Sequence, residues 1–461
     1  MGLHILFYNI YLGSLSKTPF CTSIAALSAY LKLHGHKTSL ITVTRKGQMQ
    51  KAARRAAEFK PDVVAFSVST SEWPNVRRMI KDVKAHLPRT PIVCGGYHVT
   101  LRPDEVFSLK EVDAVCLGEG EEPFLKYVER LKNGRTKKDI ENFWIKEKGF
   151  FRTREYKNPI RFLAEDLNAL PYWDREIFMR DMAMKVEDFC ALGGMPVGAG
   201  RGCPFRCTFC NNSTYLRIFN KIGKYVRKRT PENVIEEMKV LRTTYGVRKF
   251  ELWDELFGFD KKWVSIFCEL YKREVGIPYA VLLRIDQTDD QLLEMLYESG
   301  MRLAMFGVEV GNEEFRGKVL KKRFKNKDIE HVFSKCHELG IDTLAFFMYG
   351  LPGETPELIE ETLAFARKIR PTYFACQLFY PLIGTELYDR AIQHGLLAEE
   401  TLFCQAGAGL QRAGFLQPVP GVDYFVPILK NPALPKELLQ QYGQRIGKLA
   451  EELEARARKH F

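Results

Sequence analysis

The stretch Arg201-Gly-Cys-Pro-Phe-Arg-Cys-Thr-Phe-Cys210 carries three cysteines with the spacing C-x3-C-x2-C. Three thiolates on one short loop can hold three irons of a [4Fe–4S] cube and leave the fourth iron open to a substrate. The alternative is a zinc site that lacks one ligand. Zinc sites usually add a second Cys or His pair at a defined spacing, and His331 and His337 show no such pairing with this loop. The spacing therefore predicts that an iron–sulfur cluster is held by Cys203, Cys207 and Cys210.

Alternating strand and helix patterns surround this stretch. Apolar runs typical of buried parallel strands occupy residues 197–200, 249–253, 279–283, 303–308, 342–348 and 373–379. Helical periodicity follows at residues 231–245, 289–299, 327–339 and 357–369. Six consecutive βα units predict an open, partial barrel of the TIM type, with its site at the carboxyl ends of the strands.

The first part of the chain alternates in the same way. Strands are predicted at residues 4–10, 38–43, 63–68, 91–94 and 114–117, and helices at 22–33, 48–59, 73–86 and 122–131. Five such units predict an α/β fold with a flavodoxin-like, Rossmann-type doubly wound sheet. Four unusual loops follow its strands: residues 9–20, Ser67-Val-Ser-Thr-Ser71, Gly95-Gly-Tyr-His98 and Gly118-Glu-Gly-Glu121. Singly these are ordinary turns, but together at one sheet edge they predict a ligand site.

The patterns divide the chain into four predicted regions. These are a Rossmann-like domain over residues 1–140, a linker over 141–190, the partial barrel over 191–390 and a C-terminal region over 391–461. The last region ends in a charged helix over residues 435–460, and charges around most of that helix disfavour a membrane-surface role. Its aromatic side chains could cover an apolar substrate or form a small core: Phe403, Phe415, Tyr424 and Phe425.

Composition narrows the functional class. Apolar residues make up 46% of the 461 residues, yet no run approaches the roughly 20 apolar residues that span a bilayer. The N-terminus lacks the basic region of a signal peptide, so we expect a cytoplasmic protein. The net charge of +12 is spread along the chain, with short runs at residues 224–229 and 318–327, which disfavours nucleic acid as a partner. Eleven cysteines in such a protein argue against a disulfide framework.

The cysteine spacing and its flanks resemble the radical S-adenosylmethionine (SAM) superfamily. Later strand ends carry motifs similar to those of the superfamily: Phe250-Glu-Leu-Trp-Asp-Glu-Leu-Phe257, Arg284-Ile-Asp286, Phe306-Gly-Val-Glu-Val-Gly311, Tyr349-Gly-Leu-Pro-Gly-Glu-Thr355 and Pro381-Leu-Ile-Gly-Thr-Glu386. The resemblance implies that the open iron binds SAM, and that reduction of its sulfonium yields methionine and a 5′-deoxyadenosyl radical that takes hydrogen from a substrate. The residues it implies for SAM binding are Phe209, Glu255, Arg284, Glu309, Gly350 and Gly353.

Several of these residues also have a purely structural interpretation. Asp254 and Glu255 could cap the next helix, and the glycines could serve only a turn. Glu309, as an acid buried at a strand end, needs a partner to offset its lost hydration, and a nearby arginine could supply one. Arg284 would supply a fixed positive charge suited to a carboxylate.

A flavodoxin-like sheet before such a barrel resembles the cobalamin-dependent branch of the superfamily, as do Gly95-Gly-Tyr-His-Val-Thr100 and Leu117-Gly-Glu-Gly-Glu-Glu122. The resemblance implies a cobalamin site built from strand-end residues: Asn9, Ser67, Ser69, Thr70, Gly95, Gly96, His98, Thr100, Gly118, Glu119 and Gly120. The D-x-H-x-x-G signature, whose histidine binds cobalt from below, is absent from this chain. His98 stands in a different motif, so the lower cobalt ligand is not assigned.

The resemblance implies an enzyme that uses a [4Fe–4S] cluster, SAM and cobalamin to methylate an unactivated carbon or phosphorus centre. One SAM would methylate cob(I)alamin, and a second would generate the substrate radical that takes the methyl group from methylcobalamin. Cyclisation, ring rearrangement or carbon–carbon coupling with the same cofactors is one alternative. A cobalamin-binding sensor or carrier with a structural cluster is another. A flavodoxin- or ferredoxin-type one-electron reductant is the implied partner, and the substrate is a small molecule, a lipid or a peptide.

Overall fold

The computed structural model describes residues 2–12, 19–135, 138–149, 152–189, 192–397, 429 and 431–457. The described residues form two compact units. The first contains the chain up to Lys185 together with Phe219–Lys224, and the second contains most of the rest. None of the helices in these ranges has both the length and the apolar character needed to cross a membrane.

The first unit is built on one sheet. Its strands, in the described residues, are β1 (His4–Ile10), β2 (Lys37–Val43), β3 (Val63–Ser67), β4 (Ile92–Gly95), β5 (Ala114–Cys116), β6 (Phe143–Lys148) and β7 (Thr153–Lys157). They lie in the order β2-β1-β3-β4-β5-β6-β7, and the first five are parallel. The buried apolar side chains of these five strands explain the pairing, since both faces of a parallel sheet are covered. The predicted flavodoxin-like sheet is confirmed.

Helices cover this sheet. They are α1 (Thr22–Leu33), α2 (Met49–Arg55), α3 (Trp73–His86), α4 (Tyr97–Leu101), α5 (Pro103–Phe107), α6 (Glu121–Lys132) and α7 (Glu176–Met182). Trp73 and Val76 on α3 are buried in the core that also contains Tyr8 and Phe66, whose rings stack with centroids 4.9 Å apart. The carboxyl ends of β3, β4 and β5 are followed directly by the loops singled out in the sequence.

The segment 141–190 differs from the linker that was predicted. Strand β6 pairs antiparallel with β5, with Phe143 opposite Cys116, and β7 extends the sheet as its edge. The side chains of β7 are almost all exposed, because an edge strand needs neither an apolar face nor a second partner. Its polar sequence therefore gave no strand pattern. In α7, Phe178 is fully buried and packs edge-on against Phe20, and the segment belongs to the first unit as far as Lys185.

The second unit contains the predicted open barrel. Its strands, where the chain is described, are β8 (Met195–Val197), β9 (Gly200–Arg201), β10 (Arg227–Lys228), β11 (Phe250–Leu252), β12 (Tyr279–Leu283), β13 (Met301–Glu309), β14 (Asp342–Tyr349) and β15 (Tyr373–Leu378). Strands β8, β11, β12, β13, β14 and β15 form a parallel sheet in that order. Strands β9 and β10 make a separate two-residue antiparallel ribbon. The sequential parallel order confirms the βα series.

Helices follow these strands. They are α8 (Asn211–Phe219), α9 (Pro231–Tyr245), α10 (Lys261–Glu274), α11 (Asp290–Ser299), α12 (Glu313–Val319), α13 (Asn326–Leu339), α14 (Pro356–Ile369), α15 (Glu386–Gln393) and α16 (Lys436–Arg456). Helix α9 shows why the sequence specified them well. The Thr230 side chain caps its first turn by accepting from Asn233 N at 3.2 Å, and Gly246 ends it with a left-handed φ of 66°.

Helix α16 packs against β15 and α14 within the second unit. Its apolar side chains, including Leu439, Ile446 and Leu449, are buried there. Tyr442 Oη donates to Glu360 Oε1 at 3.1 Å, and Arg445 pairs with the same carboxylate. Because this apolar face is already covered, it cannot lie on a membrane surface. The aromatic residues predicted to cover a substrate, at positions 403 to 425, lie outside the described residues.

Candidate active site

Two acids after strand β11 hold the backbone that leads into the cysteine loop. Asp254 Oδ1 accepts from Ala199 N at 2.6 Å and from Gly200 N at 3.1 Å. Glu255 Oε2 accepts from Gly202 N at 3.2 Å. The next helix, α10, is capped instead by Asp260. The two acids are therefore loop-holding residues, and they draw the chain out of the sheet after Val197.

The three cysteine thiols lie at the carboxyl end of β8. Cys207 is buried, and Cys203 and Cys210 are partly buried. Burial raises the pKa of the Cys203 thiol to about 11, with smaller contributions from the two neighbouring cysteines, and burial also raises the pKa of the Cys210 thiol. Thiols in this state ionise when they bind a cation. The donors fit an iron–sulfur cluster, in which each thiolate binds a different iron, because they share one loop and interact electrostatically.

The same cysteines fit a single metal ion less well than they fit a cluster. Within the described ranges, no three His, Cys, Asp or Glu side chains converge closely enough to bind one ion. Zinc requires its ligands at about 2.0–2.3 Å from a common point. The loop therefore does not present a ready zinc site.

Arg284, at the end of β12, contacts the cysteine loop directly. Its Nη1 lies 3.6 Å from Cys207 Sγ, and its guanidinium lies 3.9 Å from the centre of the Phe205 ring. Its Nε and Nη2 donate to the two oxygens of Asp286 at 2.6 and 3.1 Å. The carboxylate that Arg284 meets in this structure is thus Asp286, and its free edge faces a cysteine sulfur.

Glu309, at the end of β13, is buried beside a lysine. Its Oε1 lies 2.7 Å from Lys322 Nζ, and Lys322 also donates to Gly307 O at 2.8 Å. Glu309 has a left-handed φ of 71°, where the register of β13 with β14 shifts. Strained backbone of this kind clusters at functional sites. The partner expected from the sequence was an arginine, and the structure places a lysine there.

Lys322 was not singled out by the sequence analysis. Its Nζ lies 5.9 Å from the centre of the Phe209 ring, and its charge lowers the pKa of Cys210, although burial outweighs that effect. It stands in a run of basic residues that is typical of a solvated surface. The overlooked signal was the alternation of apolar and basic residues from Leu320 to Phe324, which places Lys322 on the inner side.

The turn after β14 contains the two predicted glycines. Gly350 and Gly353 have φ values of 79° and 78°. A side chain at Gly350 would collide with Leu378, whereas none of the described residues lies within 4 Å of a Cβ placed at Gly353. Glu354 Oε2 accepts from Gly350 N at 2.5 Å and Leu351 N at 3.0 Å, and burial raises the pKa of Glu354 to about 8. Gly350 thus packs against Leu378, and no described side chain packs against Gly353.

In the first unit, the loops after β3, β4 and β5 contact one another and share hydrogen bonds. Gly96 has a φ of 103°, and a Cβ there would lie 2.8 Å from Val68 O. Thr100 Oγ1 donates to Gly96 O at 3.0 Å and accepts from Gly118 N at 2.9 Å. Gly118 has a φ of 71°. The structure therefore brings these predicted residues together at one edge, as loops in mutual contact.

The remaining residues predicted to bind cobalamin differ in their burial and in their contacts with the protein. Asn9 is buried and donates to Pro19 O at 2.6 Å, and Glu119 Oε2 accepts from Ala164 N at 2.9 Å. Ser67, Ser69 and Thr70 are half-buried on the same edge. Gly95 and Gly120 lie against Cys116, where a Cβ would be 3.7 and 3.3 Å from its atoms. Of the predicted loop 9–20, positions 13–18 lie outside the described residues.

His98 is turned into the protein. It is 1% exposed, and its ring stacks on Trp73 with centroids 5.0 Å apart. Its Nε2 lies 3.5 Å from Glu105 Oε2, and burial lowers the pKa of His98 to about 4. The ring is therefore neutral, and it packs between α3 and α5.

Comparison with known proteins agrees with this arrangement. Residues 11–128 match the family described as the B12 binding domain, and residues 197–366 match the radical SAM superfamily. An uncharacterized methyltransferase of Pyrococcus horikoshii is 30% identical over 355 residues, which cover 75% of this chain and 72% of the relative. The chain belongs to the cobalamin-dependent radical SAM family. It is an enzyme of the radical SAM class, so the sensor or carrier alternative is set aside.

Two further relatives of this cobalamin-dependent radical SAM enzyme have more specific names. The cytidylyl-2-hydroxyethylphosphonate methyltransferase of Streptomyces wedmorensis is 26% identical, with 75% of this chain and 70% of the relative covered. The anaerobic magnesium-protoporphyrin IX monomethyl ester cyclase of Rubrivivax gelatinosus is also 26% identical, with 79% and 65% covered. Among solved structures, the radical SAM methyltransferase TsrM of Kitasatospora setae has a TM-score of 0.67 at 17% identity, covering 86% of this chain and 75% of its own. That likeness confirms the fold.

Proposed function

We propose that this radical SAM enzyme methylates an unactivated carbon or phosphorus centre of a small molecule, a lipid or a peptide. The radical part rests on the loop of Cys203, Cys207 and Cys210 at the end of β8, which has the partly buried cation Arg284 and the buried cation Lys322 beside it. The methyl-transfer part is supported by relatives that are named methyltransferases. Enzymes of this class require an external reductant.

The residues in and around the cysteine loop have different proposed roles. The three cysteines hold the cluster, which when bound supplies the electron that cleaves SAM. Arg284 stabilises the Cys207 thiolate, and Lys322 adds positive charge near Cys210. Asp254 and Glu255 hold the loop backbone, so their role is positioning.

SAM binding is assigned to Phe209 in the loop itself, to Glu309 and to Gly353. Phe209 offers an aromatic face, Glu309 a carboxylate held in place by Lys322, and Gly353 a backbone that a ligand can approach. We assign Gly350 to packing under β15, because a side chain there meets Leu378. Arg284 would act on the SAM carboxylate only through charge, because its fork is occupied by Asp286.

The cobalamin site is proposed at the edge of the first sheet. Gly95, Gly96, Gly118 and Gly120 let the loops pack closely, so that the corrinoid meets backbone there. Ser67, Ser69 and Thr70 supply polar atoms on that edge, whereas Glu119 holds its loop by accepting from Ala164 N. Asn9, Thr100 and His98 are assigned to holding the loops, because their side chains have protein partners.

We propose that residues 1–140 bind cobalamin, with the 141–190 segment as an extension of that domain, and that residues 191–390 form the radical barrel. A cytoplasmic location is part of the proposal, since the nine cysteines in the described ranges are all free thiols, as in a reducing compartment.

The test is product analysis after anaerobic reconstitution. With dithionite and SAM, the wild type should form 5′-deoxyadenosine, and Cys207→Ala should not. With the substrate, methylation adds one CH2 to the product and yields S-adenosylhomocysteine. Equal 5′-deoxyadenosine from Cys207→Ala would contradict the assignment of the loop.

Cyclisation is the second candidate, because the chain is also 26% identical to a cyclase. A cyclase or coupling enzyme would form 5′-deoxyadenosine with a product that lacks the added CH2. Absence of S-adenosylhomocysteine during substrate turnover would select this function over methyl transfer.

A further inference from the structure

The segment 320–325, here called the cationic strip, has two chemically different faces. Leu320, Lys322 and Phe324 are 0%, 8% and 3% exposed. Lys321, Arg323 and Lys325, which alternate with them, are exposed. Buried and exposed side chains alternate along the strip, whose backbone turns at Lys321 with a left-handed φ of 58°. The outward side chains of the strip are therefore all cations.

The inner face of the strip touches the cluster loop. Thr208 Oγ1 donates to Val319 O at 2.7 Å, and Thr208 N donates to Leu320 O at 3.3 Å. Lys322 Nζ lies 5.9 Å from the ring centre of Phe209. Thr208 and Phe209 separate Cys207 from Cys210. The outer face of the strip is thus separated from the cluster loop by one layer of backbone.

The positive charge of the outer face is only partly compensated. Lys318 pairs with Glu314, and Lys321 pairs with Glu386 at 2.5 Å. In the part of the chain that is described, Arg323 and Lys325 pair with no carboxylate. A groove of about 670 Å³ lies beside them, with Phe324 in its wall. Among the described residues, this surface beside the loop is concave and basic, because its wall holds four cations against the two carboxylates of Glu313 and Glu314.

We propose that the outer face of the cationic strip docks the acidic protein that reduces the cluster, a one-electron carrier of the flavodoxin type. The inference rests on the proposed radical function, because that chemistry consumes electrons. The carrier is oxidised by one electron and the cluster is reduced by one, with no bond made or broken at the surface. Opposite charges accelerate such an encounter and orient it.

The experiment compares two charge-reversed variants with equal change in net charge. R323E/K325E alters the strip. K51E/R54E alters two exposed residues of helix α2 in the first unit. For each protein, the dissociation constant of oxidised flavodoxin is measured at low and high salt. Formation of 5′-deoxyadenosine is then driven either by flavodoxin with its reductase and NADPH or by dithionite alone.

We expect R323E/K325E to weaken flavodoxin binding and its reduction rate about tenfold, an effect of the size of electrostatic steering. Its dithionite-driven rate should match that of the wild type. K51E/R54E should bind flavodoxin as the wild type does, and so should R323K/K325R, because it keeps both positive charges. High salt should weaken wild-type binding, because screening shortens the reach of surface charges.

Three results would overturn the proposal. Flavodoxin binding that is unchanged in R323E/K325E would do so, as would equal losses in K51E/R54E. A third is loss of binding to a short DNA duplex or to phosphatidylglycerol vesicles in R323E/K325E while flavodoxin binding stays intact. The binding arm needs no turnover, so absent 5′-deoxyadenosine with dithionite would contradict the radical function alone.

Discussion

The ammonium of Lys322 and the carboxylate of Glu309 lie 2.7 Å apart, and each side chain is less than a tenth exposed. The pair lies at the end of β13, where a side chain at Gly307 would collide with both groups. Since Lys322 also reaches toward Phe209, one buried ion pair links the strand end, the cationic strip and the cluster loop.

Lys322→Met should destabilise the second unit strongly. Removing one partner leaves Glu309 as a buried, unpaired charge, which costs about 3–5 kcal/mol. The double variant Lys322→Met/Glu309→Gln should recover most of the loss, because no unpaired charge remains. Anaerobic thermal melts of the protein without cofactors measure both. A Tm of Lys322→Met equal to that of the wild type would show that the pair does not hold this strand end.

Arg284→Lys should lower the amount of iron retained after reconstitution. Lysine keeps the charge but loses the fork that binds Asp286 and the planar face that stacks on Phe205. Arg302→Lys is the matched control, since Arg302 also lies over an aromatic ring, Tyr297, at 4.4 Å. Iron per chain and visible absorbance measure the effect. Equal iron in both variants would mean that Arg284 does not support the cysteine loop.

Glu354 should make stability depend on pH. Burial raises its pKa from 4.5 to about 8, so the folded protein keeps a proton that the unfolded chain releases. Its contribution is therefore fully present below the unfolded value and is lost as pH rises through the folded value. Relative to Glu354→Gln, the wild-type Tm should fall across this window. A Tm difference that stays constant with pH would contradict a protonated Glu354.

Gly96→Ala should weaken corrinoid binding by more than a similar change elsewhere. Both Gly96 and Gly35 have left-handed backbone, with φ of 103° and 79°. A Cβ at Gly96 meets Val68 O, whereas one at Gly35 meets no described residue within 4 Å. Gly35→Ala should cost about 1 kcal/mol of stability and leave affinity unchanged. Hydroxocobalamin titration followed by visible spectra compares them. Equal affinities of the two variants would remove the cobalamin site from the β3–β4 edge.

Local patterns predicted the regular elements well. Strand β12 and helices α1, α3 and α9 begin and end where the apolar periodicity placed them, because those signals act over a few neighbouring residues. Strand β7 was missed, because its place at the sheet edge depends on β6 and not on its own side chains. The same limit explains why residues 141–190 were taken as a linker.

In the candidate site, too, features set by neighbouring residues were predicted and contacts between distant residues were not. The cysteine spacing marked the loop, since its three donors lie within eight residues of one another. The partner of Glu309 could not be predicted, because Lys322 lies 13 positions along the chain and meets it only through the turn after α12. For Arg284, the sequence indicated a carboxylate partner but not that Asp286, two positions away, would supply it. Which polar groups are already satisfied is a property of the fold.

The measurement that tests the central claim most directly is made on anaerobically purified protein. Iron and sulfide are quantified, and the electron paramagnetic resonance spectrum of the dithionite-reduced protein is recorded with and without SAM. An open fourth iron predicts about four irons and four sulfides per chain and a spectrum that changes when SAM is added. Zinc on the loop, or a cluster spectrum that SAM leaves unaltered, would contradict it.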